Sequence, residues 1–442
     1  AALRIQARAT NAVARRTIVG PWVHGLPDHA YPAPNIDWLH ELVRWFDRWL
    51  RDVQNGTETE PALTWFQRDP TPPERFPARL NGAWRAASGQ VPEQAAGEAS
   101  LGRGSEIVTL HLDGGDVPGR GRLMAAAPLV AGIDGLDHHP TAGTRAGSLC
   151  WGAGHPPNGL AADLRLEEPF GPVYVSAPLD EALEILGAPV VTLVVSSSEP
   201  VAHLVARLGC VAPDGCVEQV SEGILNLTHR DSHADPSALE PGRTYEVRVR
   251  LRTAGYRVPP GYRIWLGVAS AHWPVIWPSP RRARLSIRRG PDHASRLDLP
   301  LAPIAGIEPV PAFRTEAPAL LEVGSETTEL PTWELHEDPA RGEVAIRTYE
   351  AGTTTLPEPG GSLFISEALS MTASEREPGA GRFENTCHYT LERGGLRVEV
   401  VADGTTIAGG EAFEMEVGLA VDVDGQRFFE RRLRESIPRD LL

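Results

Sequence analysis

The residues best placed to do chemistry stand near the start of the chain. His24 lies in Gly20-Pro21-Trp22-Val23-His24-Gly25, between a short β-branched run and a helical pattern. From such a loop an imidazole can act as general base toward a hydroxyl or thiol held within hydrogen-bond reach. A lone loop histidine satisfied by backbone carbonyls fits the same residue. A serine nucleophile needs presentation on a strained strand-to-helix turn of the form G-x-S-x-G. No serine meets that pattern: Gly360-Gly361-Ser362-Leu363-Phe364 comes nearest, but Phe364 replaces the final glycine and the setting reads as β. His229 and His233, with Asp231 and Asp235, have the i, i+4 spacing of a metal pair on a helix. Their stretch from Thr228 to Pro236 reads as a polar surface loop instead. His138-His139 lies in a Gly/Asp-rich connection with the same plain reading, and Asp422 with Asp424-Gly425 reads as a hairpin turn rather than a calcium loop. No metal is expected.

Composition removes whole classes of chemistry. The 42 basic residues are all arginine. Schiff-base catalysis, a pyridoxal-phosphate lysine, a Ser-Lys dyad and a phosphate-binding P-loop each require the missing amine, so no cofactor is expected. With 58 acidic residues and a net charge of −16, phosphate backbones and anionic headgroups are repelled, which speaks against nucleic acid and membrane as partners. No stretch reaches the roughly 18 to 20 apolar residues of a bilayer crossing. Cys150, Cys210, Cys216 and Cys387 are too sparse for a disulfide scaffold and form no CxxC pair, which points to a cytoplasmic location. Cys210 and Cys216 flank Pro213-Asp214-Gly215, a hairpin signal, so both a cross-strand bridge and two small buried thiols are open.

Positioning elements can be read around these groups. Arg16 to Gly20 reads as a buried parallel strand, followed by a loop to residue 34. From Asn35, read as the cap, Leu39, Leu42, Val43, Phe46, Trp49 and Leu50 recur at helical spacing, with Arg44, Asp47, Arg48 and Arg51 on the other side. A second β run, Ala62 to Phe66, completes the order expected at the edge of an α/β sheet. Beyond residue 85, Pro- and Gly-rich turns separate short strands in the manner of an antiparallel sandwich, among them Val190–Ser196, Ala202–Leu208, Gln219–Leu227, Thr244–Leu251 and Arg263–Ala269. Past residue 310 a last β block is read at 341–348, 388–391, 396–401, 412–421 and 427–433, with turns at Gly394-Gly395, Asp403-Gly404 and Asp424-Gly425. Trp265 alternates within a strand and reads as core. Trp273 and Trp277, among prolines, fit either a wall between the sandwich and the α/β part or a ligand contact.

The Gly20–Gly25 segment, followed by the Trp38–Leu50 helix, resembles the CocE/NonD hydrolases. That family includes X-Pro dipeptidyl-peptidase-like acyl hydrolases and carries Gly-Pro-Trp-x-His-Gly at its catalytic histidine. The resemblance continues through Ala161-Ala162-Asp163-Leu164-Arg165, Ser176-Ala177-Pro178-Leu179, Gly187-Ala188-Pro189, Ser221-Glu222-Gly223-Ile224-Leu225, Leu239-Glu240-Pro241-Gly242, Pro260-Gly261-Tyr262-Arg263-Ile264 and Trp273-Pro274-Val275-Ile276-Trp277-Pro278. It becomes loose beyond about residue 305.

The resemblance implies a mainly β chain. Residues 1–85 would be the C-terminal remnant of an α/β-hydrolase domain, 86–310 a galactose-binding-like jelly roll of the X-Pro dipeptidyl-peptidase C-terminal type, and 311–442 a further β-rich domain. It assigns His24 as the triad base of a serine acyl hydrolase. The family order is Ser, Asp, His, so nucleophile and acid would precede this chain, which alone is expected to be inactive. Asp28 and Asp37 follow the histidine and are expected at the surface. The implied substrate is a small-molecule ester, amide or short peptide, and a homo-oligomer is admitted. A non-catalytic β-sandwich module binding carbohydrate or peptide is the competing reading. The motif at residues 20–25 on an α/β remnant tells against it.

Overall fold

The β-branched run Thr17-Ile18-Val19 favours extended backbone, and in the computed structural model it forms β1 (Thr17–Val19). The structure describes residues 2–9, 12, 14–23, 26–28, 30, 32–87, 106–147, 159–293, 295–302, 308–315, 325–356 and 360–442. Two helices, α1 (Ala2–Arg8) and α2 (Trp38–Arg51), bracket β1. β1 pairs in parallel with β2 (Leu63–Arg68), Ile18 opposite Thr64, and α2 lies in the crossover that parallel strands require. β3 (Gly82–Ala87) lies antiparallel along the other edge of β2. Leu3 of α1 packs on Leu63, Trp65 and Leu186. The α/β edge expected from the sequence is therefore present.

The central block contains β4 (Ile107–Val117), β5 (Arg120–Met124), β6 (Gly132–Asp137), β7 (Val173–Ser176), β8 (Leu183–Gly187), β9 (Val190–Ser197), β10 (His203–Val211), β11 (Val217–Asn226), β12 (Thr244–Arg250), β13 (Ala254–Val258), β14 (Arg263–Ala269), β15 (Arg284–Arg289) and β16 (Arg296–Pro300). β8 and β13 leave this block to join β2, in the order β1-β2-β13-β8. The others form one hydrogen-bonded system, β11-β10-β14-β7-β5-β4-β16-β9-β15-β6, with β12 beside β9. Its halves face each other, because Leu204, Leu208 and Leu266 share a core with Val191, Leu193, Leu285 and Leu297. This is a sandwich, and all five strands read there from the sequence fall within it. Cys210 is a buried free thiol whose cross-strand partner is Glu218, not Cys216. Burial pushes its pKa up to about 12.

The last block is a meander: β17 (Ser325–Asp338), β18 (Glu343–Thr355), β19 (Ser362–Ser374), β20 (Gly381–Arg393), β21 (Leu396–Ala408), β22 (Ala412–Val423) and β23 (Gln426–Pro438), each antiparallel to the next. Ser362 begins β19 opposite Thr355 of β18, so the two glycines before it belong to an antiparallel hairpin rather than a nucleophile elbow. The turn expected at Asp403-Gly404 is absent. Both residues lie inside β21, where a Cβ at Gly404 would come 2.4 Å from Asn385 Oδ1, so close packing of β20 on β21 accounts for the glycine.

One end of this sheet docks on the sandwich. Trp273 packs against Ile346, Met371 and Ala373, and the Trp277 ring lies 5.4 Å from Phe413. The two tryptophans thus form a wall, but against the C-terminal sheet rather than the α/β part. Arg439, just past β23, is almost wholly buried and donates to the carbonyls of Gly379 (3.1 Å), Gly409 (2.9 Å) and Pro278 (2.5 Å). Its guanidinium also sits 4.9 Å over the Phe413 ring, and burial lowers its pKa to about 10. Asn226 and Thr228 donate to the Leu441 carbonyl at 2.8 and 3.0 Å. No helix among the described residues is long and apolar enough to cross a membrane.

Removing the Arg439 guanidinium strands three carbonyls at this seam. Arg439→Ala should lower unfolding free energy by about 2–4 kcal/mol in urea titration, with the C-terminal sheet released first.

Candidate functional site

The loop that carries His24 is built from its flanks. Gly20 follows directly on β1, and a Cβ there would stand 2.4 Å from the Trp22 ring. Trp22 is held in turn: its Nε1 donates to the Pro34 carbonyl at 2.8 Å and its ring lies 6.0 Å from Trp84. Trp84 also meets Phe66 and Phe313. Val23, immediately before the histidine, is buried. Beyond the loop, the Ile36 amide donates to the Pro27 carbonyl (3.1 Å) and the Leu80 amide to the Ala33 carbonyl (3.0 Å). Asn35 Nδ2 donates to the carbonyls of Pro27 and Ala30. His24 and Gly25 themselves lie outside the described residues, as does Cys150.

Asn35 is thereby committed to the loop, and the cap of α2 is Asp37, whose Oδ1 accepts from the His40 amide at 3.0 Å. Asp37 is buried and its own amide donates to the Arg314 carbonyl, so it is not the surface residue expected from the sequence. Asp28 is half-buried.

Helix α2 is amphipathic as read, but its charged side faces the protein. Buried Glu41 receives Arg16 at 2.7 Å and Arg44 at 3.1 Å, and Glu60 takes Arg16 at 2.5 Å as well as Arg44. Arg48 reaches Glu58 at 3.1 Å. The apolar stripe is left outside: Leu39, Val43, Phe46 and Leu50 are 41%, 57%, 51% and 77% exposed. Paired arginines and carboxylates neutralise one another under the helix, whereas no described residue covers the stripe. The outer edge of β1 likewise has no partner strand among the described residues.

The remaining histidines divide. His229 and His233 stand ring to ring at 5.5 Å in a loop, and no group of three or more His, Cys, Asp or Glu gathers for a metal among the described residues. His138-His139 is more than a plain connection. His139 meets Glu375 of the C-terminal sheet at 3.4 Å, and that hydrogen bond raises its pKa. Burial works against Glu375, but hydrogen bonds from His139 and Thr141 hold its carboxyl below the usual range. His138 and His203 are buried, and desolvation pushes their pKa values down to about 4 and about 3.

A second buried cluster was not legible in the sequence. Arg207 lies 2.9 Å from His272 Nδ1, His272 Nε2 lies 3.2 Å from Glu222, and Gln219 donates to Glu222 at 2.8 Å. Burial, then Arg207, lowers the His272 pKa. The neighbouring cavities have room for about one water each. The cluster links β10, β11 and the segment after β14 within the sandwich.

Residues 55–298 match the X-Pro dipeptidyl-peptidase C-terminal non-catalytic domain. This chain belongs to that family. A protein named as a serine esterase in Mycobacterium bovis is 26% identical over 317 residues, which take up 64% of this chain and 45% of that protein. Cocaine esterase from a Rhodococcus species is 29% identical over 142 residues, 29% of this chain and 25% of its own. The chain thus spans less than half the length of these curated relatives. The crystal structure of an aminopeptidase from a marine sediment archaeon, Thaumarchaeota archaeon, shares the fold at 17% identity with a TM-score of 0.51, covering 67% of this chain and 50% of that one. The resemblance to CocE/NonD hydrolases stands, and these curated relatives are themselves named as esterases.

Two measurements follow from the geometry. Gly20→Ala must push the Trp22 ring off its place, so near-ultraviolet dichroism should change and stability should fall by about 1–3 kcal/mol. His138 and His203 have folded pKa values below the ordinary 6.5. As pH falls from 6.5 toward 4, the unfolded chain takes up protons that the native state refuses, and stability declines by on the order of several kcal/mol. His139, shifted upward, adds stability below pH 6.5 that is lost as pH rises through its raised pKa, a smaller effect at a half-exposed site. Urea titrations at pH 7 and 4.5 should show the decline, and His203→Asn should flatten it.

Proposed function

We propose that this chain is part of a serine-dependent acyl hydrolase acting on ester or amide bonds, with His24 as its general base. The observation that carries the reading is the unit around the histidine loop. A parallel strand with an open outer edge leads into the loop, and the loop leads into a helix whose apolar stripe is uncovered. That arrangement is supplied where an α/β sheet continues past β1 and a further layer covers α2. In this reading the continuation brings the serine and the triad acid. The His24 imidazole takes the proton of the serine hydroxyl as its oxygen attacks the acyl carbon, and then delivers it to the leaving alcohol or amine. Water, activated by the same imidazole, attacks the acyl-enzyme, its proton passes through His24 back to the serine, and the acid is released.

The names of the relatives, serine esterase and cocaine esterase, favour ester substrates. A short peptide carrying a free N-terminus is the second substrate class, favoured by the description of the matched domain. That description also calls residues 55–298 non-catalytic, and the proposal asks no chemistry of them. Their task here is to hold the histidine loop through the β2–β13 junction.

The reading is tested by fluorophosphonate labelling and p-nitrophenyl ester hydrolysis. The 442-residue chain alone should neither label nor hydrolyse above background. The longer polypeptide that includes the sheet continuation should do both, and His24→Ala in it should cut kcat/KM by at least about 10³-fold. Hydrolysis that is indifferent to His24→Ala would sink the assignment.

A further inference from the structure

Among the described residues, the last strand of the C-terminal sheet leaves one edge bare. β23 is the terminal strand of the sheet, and every residue from Gln426 to Pro438 is exposed. Such an edge presents a row of unmet N–H and C=O groups, which proteins blunt with charge or cover with another strand. Six side chains of β23 are charged, and four are engaged within their own sheet. Arg427 meets Asp422 at 2.7 Å and Glu430 at 2.9 Å. Arg432 meets Glu416 at 2.6 Å and Asp403 at 3.5 Å, and Arg434 meets Glu416 at 3.0 Å. Among the described residues only Arg431 and Glu435 of this strand lack a partner.

These two lie on one face with Phe429, Leu433 and Ile437, since their cross-strand partners Leu419 and Met415 alternate with Val421, Val417 and Phe413. The strand is complementary to itself about Leu433. A second β23 laid antiparallel on a two-fold axis through that residue sets Leu433 against Leu433. The same axis sets Arg431 against Glu435 twice and Phe429 against Ile437 twice, at the 4.5–5.5 Å Cβ spacing of directly opposed residues. On the other face it brings Arg432 opposite Arg434, where each copy already supplies Glu416 and Asp403 beside them. Other registers are worse. Moving the axis by one residue sets Phe429 or Ile437 against a charge, and moving it by two sets Arg431 or Glu435 against its own copy.

We propose that β23 is a self-recognition edge and that its partner is a second copy of this chain, joined by antiparallel β23–β23 pairing centred on Leu433 into a sheet continuous across both copies. The main-chain ladder supplies affinity, and the two Arg431–Glu435 pairs supply register. This surface lies outside residues 55–298 and is independent of the hydrolase reading.

Sedimentation velocity on the 442-residue chain tests it, with circular dichroism as the check on folding. The unaltered chain should sediment as a dimer. Arg431→Glu and Glu435→Arg, both at exposed positions, should each weaken dimerisation at least about tenfold, because each places like charges opposite one another at both symmetric positions. The double variant R431E/E435R should dimerise as the unaltered chain does, since the exchanged charges again meet across the axis. A monomer up to about 100 μM, a dimer indifferent to the single changes, or a double variant no better than the singles would each overturn the proposal.

Discussion

Strand β2 is bonded along both edges, and the N-terminal half of the molecule depends on that pairing. One edge carries β3; the other is shared end to end by β1 at Leu63–Trp65 and β13 at Arg68. Through β13 and β8, whose Ile185, Tyr256 and Val258 share the sandwich core, this sheet packs on the sandwich and so sets where the flanks of the histidine loop stand relative to it. Side chains reinforce the joint. Glu218 accepts from Arg68, from the Thr71 amide at 2.8 Å and from the Tyr256 hydroxyl at 2.6 Å, and Gln67 donates to the Ile185 carbonyl. A buried strand stripped of such partners leaves unpaired groups costing about 1–3 kcal/mol each, which makes this junction stiff.

The C-terminal sheet is attached differently. Its contact with the sandwich is confined to one end, where an aromatic wall and a buried arginine close a small apolar area. Hydrogen bonds to Arg439 and Glu375 fix orientation there, while the rest of the sheet is a single layer whose side chains shield one another along the ladder. The Pro-rich segment between sandwich and sheet is tied back to the α/β part through Asp37 and Ala86, whose partners are the Arg314 carbonyl and the Glu308 amide. The chain thus crosses its own surface before entering the meander.

Much of this was legible in the sequence where one physical signal dominated. The 3.6-residue period announced α2, the Pro-Asp-Gly and Gly-Gly turns announced hairpins, and alternation placed Trp265 in a core, where it is buried beside Val173 and Val217. The failures have a common cause: local pattern does not say what lies opposite. Periodicity finds the two faces of α2 but cannot tell that Glu41 will meet Arg16, so it leaves open which face turns to solvent. Asn35 and Asp37 are both good caps, and the choice was made by loop carbonyls of Pro27 and Ala30. β19 carries too many serines and alanines to stand out as a strand, and Gly404 resembles a turn glycine until Asn385 is seen across from it. Arg207 and His272 could not be linked from sequence because β10 is covered on both faces, and polar residues in such a strand reveal no partner.

The two open boundaries of the molecule differ in chemistry, and so in the kind of contact each fits. At the N-terminal side, a three-residue parallel edge adjoins an exposed apolar helix stripe. Neither is weakened by salt, and full burial of a Leu, Val or Phe side chain is worth about 1.5–3 kcal/mol, so a cover laid there would be held durably. At the other end the bare edge is thirteen residues long and dense in charge. Chains of net charge −16 repel one another at a distance, and non-specific edge pairing is suppressed accordingly. Only an approach that brings opposite charges together in one register overcomes this barrier, and the strength of that approach depends on ionic strength. An apolar boundary suits continuation within one folded unit; a charged, self-complementary one suits reversible association between units.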